Sequence, residues 1–205
     1  MTDSETAVRI RRAQQDDTGL VASILADAFF HGDLAGWLVP DETLRAAIYP
    51  PYFRLLAGHA IEYGHVEVLG SDATAVWFDL DHNPAPVLDD YDAQLAAITG
   101  STVSRFRQLD HAMHEHHPDP RREEHAYLAF LAVRPARQSH GLGAALLTHR
   151  LTDLSRQHRA AYLEATGSRN RGLYQRFGFE PLDPYTIVPG GPQLYPMWRS
   201  RHTEI

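Results

Sequence analysis

Apolar and polar positions along the chain alternate in some segments and recur at helical spacing in others. The predicted strands cover residues 8–13, 60–70, 73–80, 125–133, 160–167, 178–188 and 192–199. The predicted helices cover residues 18–30, 42–58, 90–117, 140–158 and 169–177, and the segment 31–42 is predicted as a loop or short broken turn. We expect Pro50-Pro51 to interrupt the second helix and Gly100 to break the third.

The segment 125–133, HAYLAFLAV, is the most apolar of the predicted strands and lacks clean alternation. Such a strand is buried on both faces and lies in the centre of a sheet. Strands and helices follow one another without a repeat, a linker or a low-complexity segment. The pattern therefore predicts a single α/β domain over residues 1–205.

The amino-acid composition excludes several kinds of reactive site. The chain has 205 residues and no cysteine, which excludes disulfides, thiolate metal sites and a thiol nucleophile. All 19 basic residues are arginine, so no Schiff-base lysine is present. No apolar run is long enough for a membrane span, and the acidic N-terminus does not look like a signal peptide. We therefore expect a cytoplasmic protein that is not bound to a membrane.

Charge is distributed unevenly. The first 120 residues hold 19 of the 26 acidic residues and 7 of the 19 arginines. The basic C-terminal part suits an anionic ligand and the acidic N-terminal part a cationic one, with ordinary surface variation as the alternative. The net charge of -7 and the lack of a basic stripe disfavour nucleic acid as a partner.

Residues 131–143, LAVRPARQSHGLG, run from the apolar strand into a turn that opens a helix. The first N–H groups of a helix have no intrahelical partner, and the helix dipole adds partial positive charge there. Gly141 and Gly143 let a ligand approach, and Arg134 and Arg137 stand nearby. The stretch is typical of a phosphate-binding turn, although a glycine-containing connection without a ligand is the alternative.

The turn fits neither of two common phosphate-binding motifs. A dinucleotide-binding loop would need a third small residue where this chain has Leu146. A P-loop would need a lysine, which the chain lacks. Both alternatives therefore fail on specific residues.

Two segments resemble motifs of the GCN5-related N-acetyltransferases, the GNAT family. VRPARQSHGLGAALL looks like the acetyl-CoA-binding motif that follows the family's fourth strand, and YLEATGSRNRGLYQRFGFEPL is similar to its second signature. The segments AFFHGDLAGW, HHP and PQLYPMWR look most like the puromycin N-acetyltransferase-like branch. The resemblance implies one domain with a mixed central sheet of about seven strands, splayed between strands four and five, with helices on both faces.

The resemblance also implies acetyl-CoA as the cofactor, bound mainly by residues 121–205, with residues 1–120 forming mainly the acceptor side. The turn would hold the pyrophosphate, and the strand edge would pair with the pantetheine amides. The cofactor-binding residues implied in this way are Leu131, Ala132, Val133, Arg137, Gln138, Ser139, His140, Gly141, Leu142, Gly143, Ala144, Asn170 and Tyr174.

For catalysis, Tyr174 matches the family tyrosine that protonates the departing thiolate, with a packed aromatic as the alternative. Asn170 fits a cofactor contact or a helix N-cap. The candidates for a general base are His125, which has a suitable pKa range, and Glu164 on the neighbouring strand, with Glu124 and Tyr127 also close to the start of the central strand. An ordered water in place of a base is the remaining alternative.

The acceptor pocket is expected in the N-terminal half, where aromatic side chains and a carboxylate suit an amine. The predicted acceptor-binding residues are Phe30, Asp33, Trp37, Trp77 and Tyr127, with Phe29, Tyr52 and Phe53 as further aromatic walls. The histidines at 111, 114, 116 and 117 are interpreted as solvated surface rather than as a metal site.

The predicted function is acetyl-CoA-dependent N-acetylation of a small-molecule amine by direct transfer in a ternary complex. A protein or peptide acceptor is the alternative within the enzyme class, and a non-catalytic acyl-CoA-binding sensor is the alternative outside it. The sequence leaves the oligomeric state open, and a homodimer is kept as a hypothesis.

Overall fold

A computed structural model describes residues 9–81 and 87–203 of the chain. Residue 8 of the first predicted strand and residues 83–86 of a predicted loop lie outside the described residues. The strands are β1 Ile10–Arg12, β2 His65–Leu69, β3 Ala73–Leu80, β4 His125–Val133, β5 Ala160–Ala165, β6 Glu180–Pro181, β7 Tyr185–Thr186 and β8 Gln193–Arg199. The α-helices are α1 Thr18–Ala28, α2 Asp33–Leu38, α3 Glu42–Tyr63, α4 Tyr91–Thr99, α5 Val103–His116, α6 Leu142–Arg156 and α7 Ser168–Arg176.

The strands form one open mixed sheet in the order β1-β2-β3-β4-β5-β8-β6, with β7 paired to β8. Strands β4 and β5 are parallel, and the other neighbouring pairs are antiparallel. The apolar strand β4 lies in the middle of the sheet, as its sequence predicts. The predicted single α/β fold with helices on both faces is confirmed, and the sheet has eight strands among the described residues where about seven were expected.

Two apolar cores cover the two faces of the sheet. One core packs α1 to α5 against residues such as Val66, Val76 and Ala132. The other packs leucines of α6 against the opposite face, with Trp77 and Leu128 among its buried members. Within residues 9–81 and 87–203, no helix combines the length and the apolar character needed to cross a bilayer.

Helix α3 runs through Pro50 and Pro51 without a break, so the predicted interruption is wrong. Each proline removes the hydrogen bond to the carbonyl four residues earlier. Those carbonyls belong to Ala46 and Ala47, which are exposed residues where water can satisfy them. On the opposite side of α3, buried side chains such as Tyr49 pack into the core and hold the helix together.

Other boundaries also differ from the predictions. Helix α3 extends to residue 63, so the strand predicted at 60–70 is confined to His65–Leu69. Helix α6 begins at Leu142 rather than near residue 140. The strand predicted at 178–188 is divided into the two short strands β6 and β7. The segment predicted as a loop contains α2, whereas the break at Gly100 is confirmed.

Candidate active site

Strands β4 and β5 separate halfway along β4. Their parallel pairing ends at Leu128, whereas β3 pairs with β4 as far as Val133. The β3–β4 register skips Ala129, which forms a β-bulge at the point of separation. Within the described chain, the edge of residues 129–133 that faces β5 therefore has no strand partner. Its main-chain groups are available to a ligand, apart from the carbonyl of Val133, which accepts from Gln138 Nε2.

The turn after β4 leads into α6 with an unusual backbone. Ser139 and Gly141 have φ values of 65° and 81°, in the left-handed region. No side chain caps the helix, and its first internal hydrogen bond joins Ala145 N to Gly141 O at 2.9 Å. The N–H groups of Leu142 to Ala144 therefore have no intrahelical partner, and the turn can bind an anion.

The two glycines of the turn have different surroundings. A Cβ at Gly141 would meet nothing within 4 Å, so its positive φ is what requires glycine. A Cβ at Gly143 would contact Leu131 and Val133 at 3.7 Å and Leu173 at 3.9 Å. Gly143 therefore faces β4 and α7, which favours a role in packing the helix rather than in admitting a ligand.

The exposed polar side chains of the turn are tied to the chain around them. Gln138 Nε2 donates to the carbonyl of Val133 at 3.2 Å. His140 Nδ1 lies 2.7 Å from the carbonyl oxygen of Gln138, and Arg137 Nε donates to Asp72 Oδ2 at 3.1 Å. These contacts hold the turn open over the helix N-terminus.

A cavity of about 290 Å³ lies between the separated strands and helices α2, α3, α4 and α5. Tyr174 and Asn170 line it from α7, and Leu131 lines it from β4. Tyr174 is 8% exposed, and burial raises its pKa. Its hydroxyl therefore stays protonated at neutral pH and can donate a hydrogen bond into the cavity.

An aromatic wall forms the far side of the cavity. The ring of Phe53 lies 5.8 Å from that of Phe29 and 5.9 Å from that of Phe130. Tyr49 and Tyr52 pack on the same ring at 5.4 and 5.2 Å. These side chains shape an apolar space while they also belong to the core around α3.

Glu164 lines the cavity from β5. Tyr162 donates from its hydroxyl to Glu164 Oε1 at 2.9 Å. Burial raises the pKa of Glu164 to about 7, although the hydroxyls of Tyr162, Tyr127 and Tyr185 act in the opposite direction. A carboxyl group that exchanges its proton near neutral pH is suited to general base catalysis.

A family model described as the acetyltransferase (GNAT) family matches residues 62–179. The match covers more than half of the chain and includes both the strand separation and the turn before α6. The chain belongs to the GNAT acetyltransferase family. The resemblance of its two motifs to this family is confirmed.

Solved structures agree with the GNAT fold. A structure from Corynebacterium glutamicum described as histone acetyltransferase HPA2 and related acetyltransferase is 26% identical, with a TM-score of 0.69 over 93% of this chain and 94% of that one. A polyamine N-acetyltransferase from Drosophila melanogaster is 14% identical, with a TM-score of 0.59 over 94% and 99%. The ribosomal-protein-S18-alanine N-acetyltransferase from Escherichia coli is 18% identical, with a TM-score of 0.54 over 96% of each chain.

GNAT enzymes in general use acetyl-CoA, and the residues of this chain fit that molecule. The free N–H groups before and in the first turn of α6 suit a pyrophosphate, and no acidic residue lies in the segment 131–144. The unpaired edge of residues 129–133 offers main-chain groups to amides, and the cavity next to it has room for an acyl group.

Two other candidates for a general base, His125 and Glu124, lie outside the cavity of this GNAT fold. His125 is fully buried and does not line the cavity. Its Nδ1 lies 2.8 Å from the carbonyl oxygen of Glu123 and its Nε2 lies 3.1 Å from His117 Nε2. Burial lowers the pKa of His125. His125 therefore lies apart from the cavity, and Glu124 is exposed beside a separate surface pocket.

The predicted acceptor residues divide into two groups. Asp33 and Tyr127 line the cavity. Phe30 packs behind the aromatic wall under a buried arginine of α3, and Trp37 packs against an arginine of α5. Trp77 is fully buried in the core beneath α6, on the other face of the sheet. Phe30, Trp37 and Trp77 thus do not line the cavity, and their rings pack against other parts of the chain.

Sequence reasoning missed a polar pair in the cavity. Tyr91, the first residue of α4, donates from its hydroxyl to Asp110 Oδ2 on α5 at 2.9 Å. Both residues line the cavity. Nothing in the sequence signals this pair, because the two residues lie on different helices that meet only in the folded chain.

The histidines near the end of α5 are only partly solvated. His111, His114 and His116 are exposed, and His116 also stacks on the ring of Tyr185 at 3.8 Å. His117 is half-buried and contacts His125. No group of three potential ligands among the described residues is arranged to hold a metal ion. Asn170 is not the N-cap of α7, because Gly167 occupies that position. The cofactor contact is the role that stays predicted for Asn170.

Proposed function

We propose that this GNAT protein transfers an acetyl group from acetyl-CoA directly to the amine of a small molecule within a ternary complex. The observation that carries the proposal is that Tyr174 and Glu164 line one cavity next to the unpaired edge of β4. An acid and a base on either side of one space are what amide formation from a thioester requires.

Glu164 is the proposed base. Its carboxylate accepts a proton from the attacking ammonium or amine, either directly or through a water molecule. A main-chain N–H on the free edge of β4 stabilises the negative charge that develops on the thioester oxygen. Acetyl-CoA supplies the activated acetyl group when it is bound. A nitrogen–carbon bond forms, the carbon–sulfur bond breaks, and Tyr174 donates a hydrogen bond and its proton to the departing sulfur. Tyr174 then regains a proton from the product nitrogen, from the protonated Glu164 or from solvent.

The turn before α6 is the proposed site of the pyrophosphate. Ser139, Gly141 and the first residues of α6 present N–H groups there, and Arg137 and His140 stand at its edge. The segment Leu131–Val133 is proposed to pair with the pantetheine amides, and Asn170 to contact the cofactor from α7. The absence of cysteine from the chain rules out an acyl-thioenzyme.

The shape of the cavity supports a small acceptor rather than a protein. Residues 29–38 and 49–56 close one side of it, and α5 closes another. An open groove across the sheet would be expected for a peptide. Similar solved structures include proteins described as acting on histones, on a ribosomal protein and on polyamines, so they do not distinguish between these acceptors.

The experiment follows free-thiol release from acetyl-CoA with a panel of amines, comparing wild type with Tyr174→Phe. We expect turnover with at least one amine and a fall in kcat of about 10- to 1,000-fold in the variant, on the scale of lost acid catalysis. Tyr63→Phe is the control, since Tyr63 is exposed and lies away from the cavity.

The alternatives give different results. Tight binding of acetyl-CoA without acetylation of any amine would support the sensor. Acetylation of peptides but not of free amines would support a protein acceptor. Including puromycin in the panel tests the predicted relationship to the puromycin N-acetyltransferase-like branch. The cytoplasmic location and the homodimer stay predictions, which fractionation and sedimentation would check.

A further inference from the structure

The charges that line the cavity are all of one sign. Asp33, Asp110 and Glu164 are the acidic residues among the described residues that line it, and no arginine is among those lining residues. His31, at the mouth, is the lone basic side chain in this set. An otherwise apolar space with several carboxylates and no fixed cation favours a cationic occupant.

Asp110 lies away from the reacting groups. Glu164 is close to Tyr185, on which His116 at the end of α5 stacks. Asp110 is six residues earlier on that helix, which is about 9 Å along the helix axis. One carboxylate therefore lies beside the proposed acetyl-transfer site, and the other lies at a distance from it along the wall formed by α5.

The partners of Asp110 leave its charge unbalanced. Within the described chain it accepts a hydrogen bond from Tyr91, and no ion pair to it is found. The nearby arginines are engaged elsewhere. Arg107 Nε donates to Asp92 at 3.2 Å, and Arg105 donates to the carbonyl of Trp37.

The wall behind the cavity supplies no cation either. Arg45 is buried, and its guanidinium donates to the carbonyls of Phe30 and Val39. A second positive charge on the acceptor would give Asp110 the ion pair that the protein does not provide. The aromatic rings around Phe53 would accommodate the apolar part between the two charges.

We propose that the acceptor is a diamine, with one amine beside Glu164 for acetylation and a second, cationic group held by Asp110 and Tyr91. This inference rests on the proposed function and adds the class of substrate. Asp110 acts as a specificity-determining residue, since it contacts the acceptor at a distance from the reacting atoms.

The class of substrate predicts a product pattern. After one acetylation, the acceptor retains a single amine and an uncharged amide. To be acetylated again it would have to place the amide at Asp110, where no cation would balance the carboxylate. The monoacetylated product should therefore accumulate.

The experiment compares diamines from propane to octane with monoamines of the same chain length, in wild type and in Asp110→Asn. The asparagine can still accept the hydrogen bond from Tyr91, so the fold is expected to persist, which a thermal melt checks. We expect kcat/KM for the best diamine to fall about 10- to 100-fold in the variant, mainly through KM, with monoamines changing less than about threefold. The share of diacetylated product should rise.

Asp153→Asn is the matched control, because Asp153 lies on α6, outside the cavity, and pairs there with Arg156. An equal loss for diamines and monoamines in Asp110→Asn would overturn the proposal and give Asp110 a purely structural role. Wild-type enzyme that prefers monoamines would also overturn it. If no amine is acetylated at all while acetyl-CoA binds, the proposed function itself fails, which is a distinguishable result.

Discussion

The two sides of the cavity are built from different parts of the polypeptide. On the acetyl-CoA side, the groups offered to a ligand are main-chain groups of β4, of the turn at residues 138–141 and of the start of α6. On the acceptor side, they are side chains of helices α2 to α5 and of the segment between α1 and α2. One ligand surface therefore depends on backbone conformation and the other on which residues meet in the folded chain.

The two surfaces also differ in how much they contribute to the stability of the fold. The turn before α6 is exposed, and its residues contribute little to the core. The acceptor wall belongs to the core, since Phe53 is 4% exposed and packs on four other aromatic rings. Changes on the acetyl-CoA side should therefore alter binding with little loss of stability, whereas changes in the aromatic wall should alter both.

Glu164 lies where the two sides meet, and its removal should have the largest effect. In Glu164→Gln we expect kcat/KM at neutral pH to fall by about 100- to 10,000-fold, because a base is lost. The pKa of Glu164 is raised to about 7 by burial, so wild-type activity should rise with pH through that value as the carboxyl loses its proton. This limb of the pH–rate profile should disappear in the variant, leaving the limb that belongs to the amine.

Glu180→Gln is the control for this measurement, because Glu180 is exposed on β6. A Glu164→Gln enzyme with a normal rate and an unchanged limb near pH 7 would favour ordered water as the route for the proton. In that case, the buried carboxyl group would serve to hold Tyr162.

The same division explains how much could be predicted from the sequence. The glycine-containing turn and the central strand are local features, and both lie where the sequence predicts them. The acceptor side was predicted less well. Trp77 and Trp37 are residue types that often line a binding pocket, but in this protein they pack in or against the two cores. The sequence does not distinguish a core position from a pocket position, because that depends on how the helices pack.

The surroundings of His125 could not be predicted from the sequence either. Its residue type suggests a base, and only the neighbouring strands and His117 show that it is buried in a histidine pair. Asp110 shows the reverse case, an aspartate in a polar helix whose position in the cavity depends on the crossing of α4 and α5.

The acetyl-CoA side can be tested at Gly141. An alanine there would keep a φ of 81° with a strain of about 1–2 kcal/mol, or the turn would change shape. We expect the Kd of acetyl-CoA in Gly141→Ala to rise about 10-fold or more, measured by calorimetry, while the fold persists. Gly100→Ala is the matched control, since Gly100 has a φ of 54° and lies between α4 and α5, away from the turn.

A similar loss of affinity in both glycine variants would indicate that general destabilisation, and not the shape of the turn, is responsible. Gly143→Ala gives a further contrast. Its added methyl group would make ordinary contacts with Leu131 and Leu173, so we expect a smaller change in Kd than at Gly141.

The smallest effect is expected at Asp33, the acceptor-side carboxylate that the sequence indicates. It is exposed at the start of α2, whereas Asp110 is half-buried. Solvent screens an exposed charge, so Asp33→Asn should lower kcat/KM for a cationic amine by no more than about fivefold. Measured on the same diamine at two salt concentrations, this loss should shrink in high salt, while the loss in Asp110→Asn should persist. A larger loss of kcat/KM in Asp33→Asn than in Asp110→Asn would indicate that the cation is recognised at the mouth of the cavity and not at its wall.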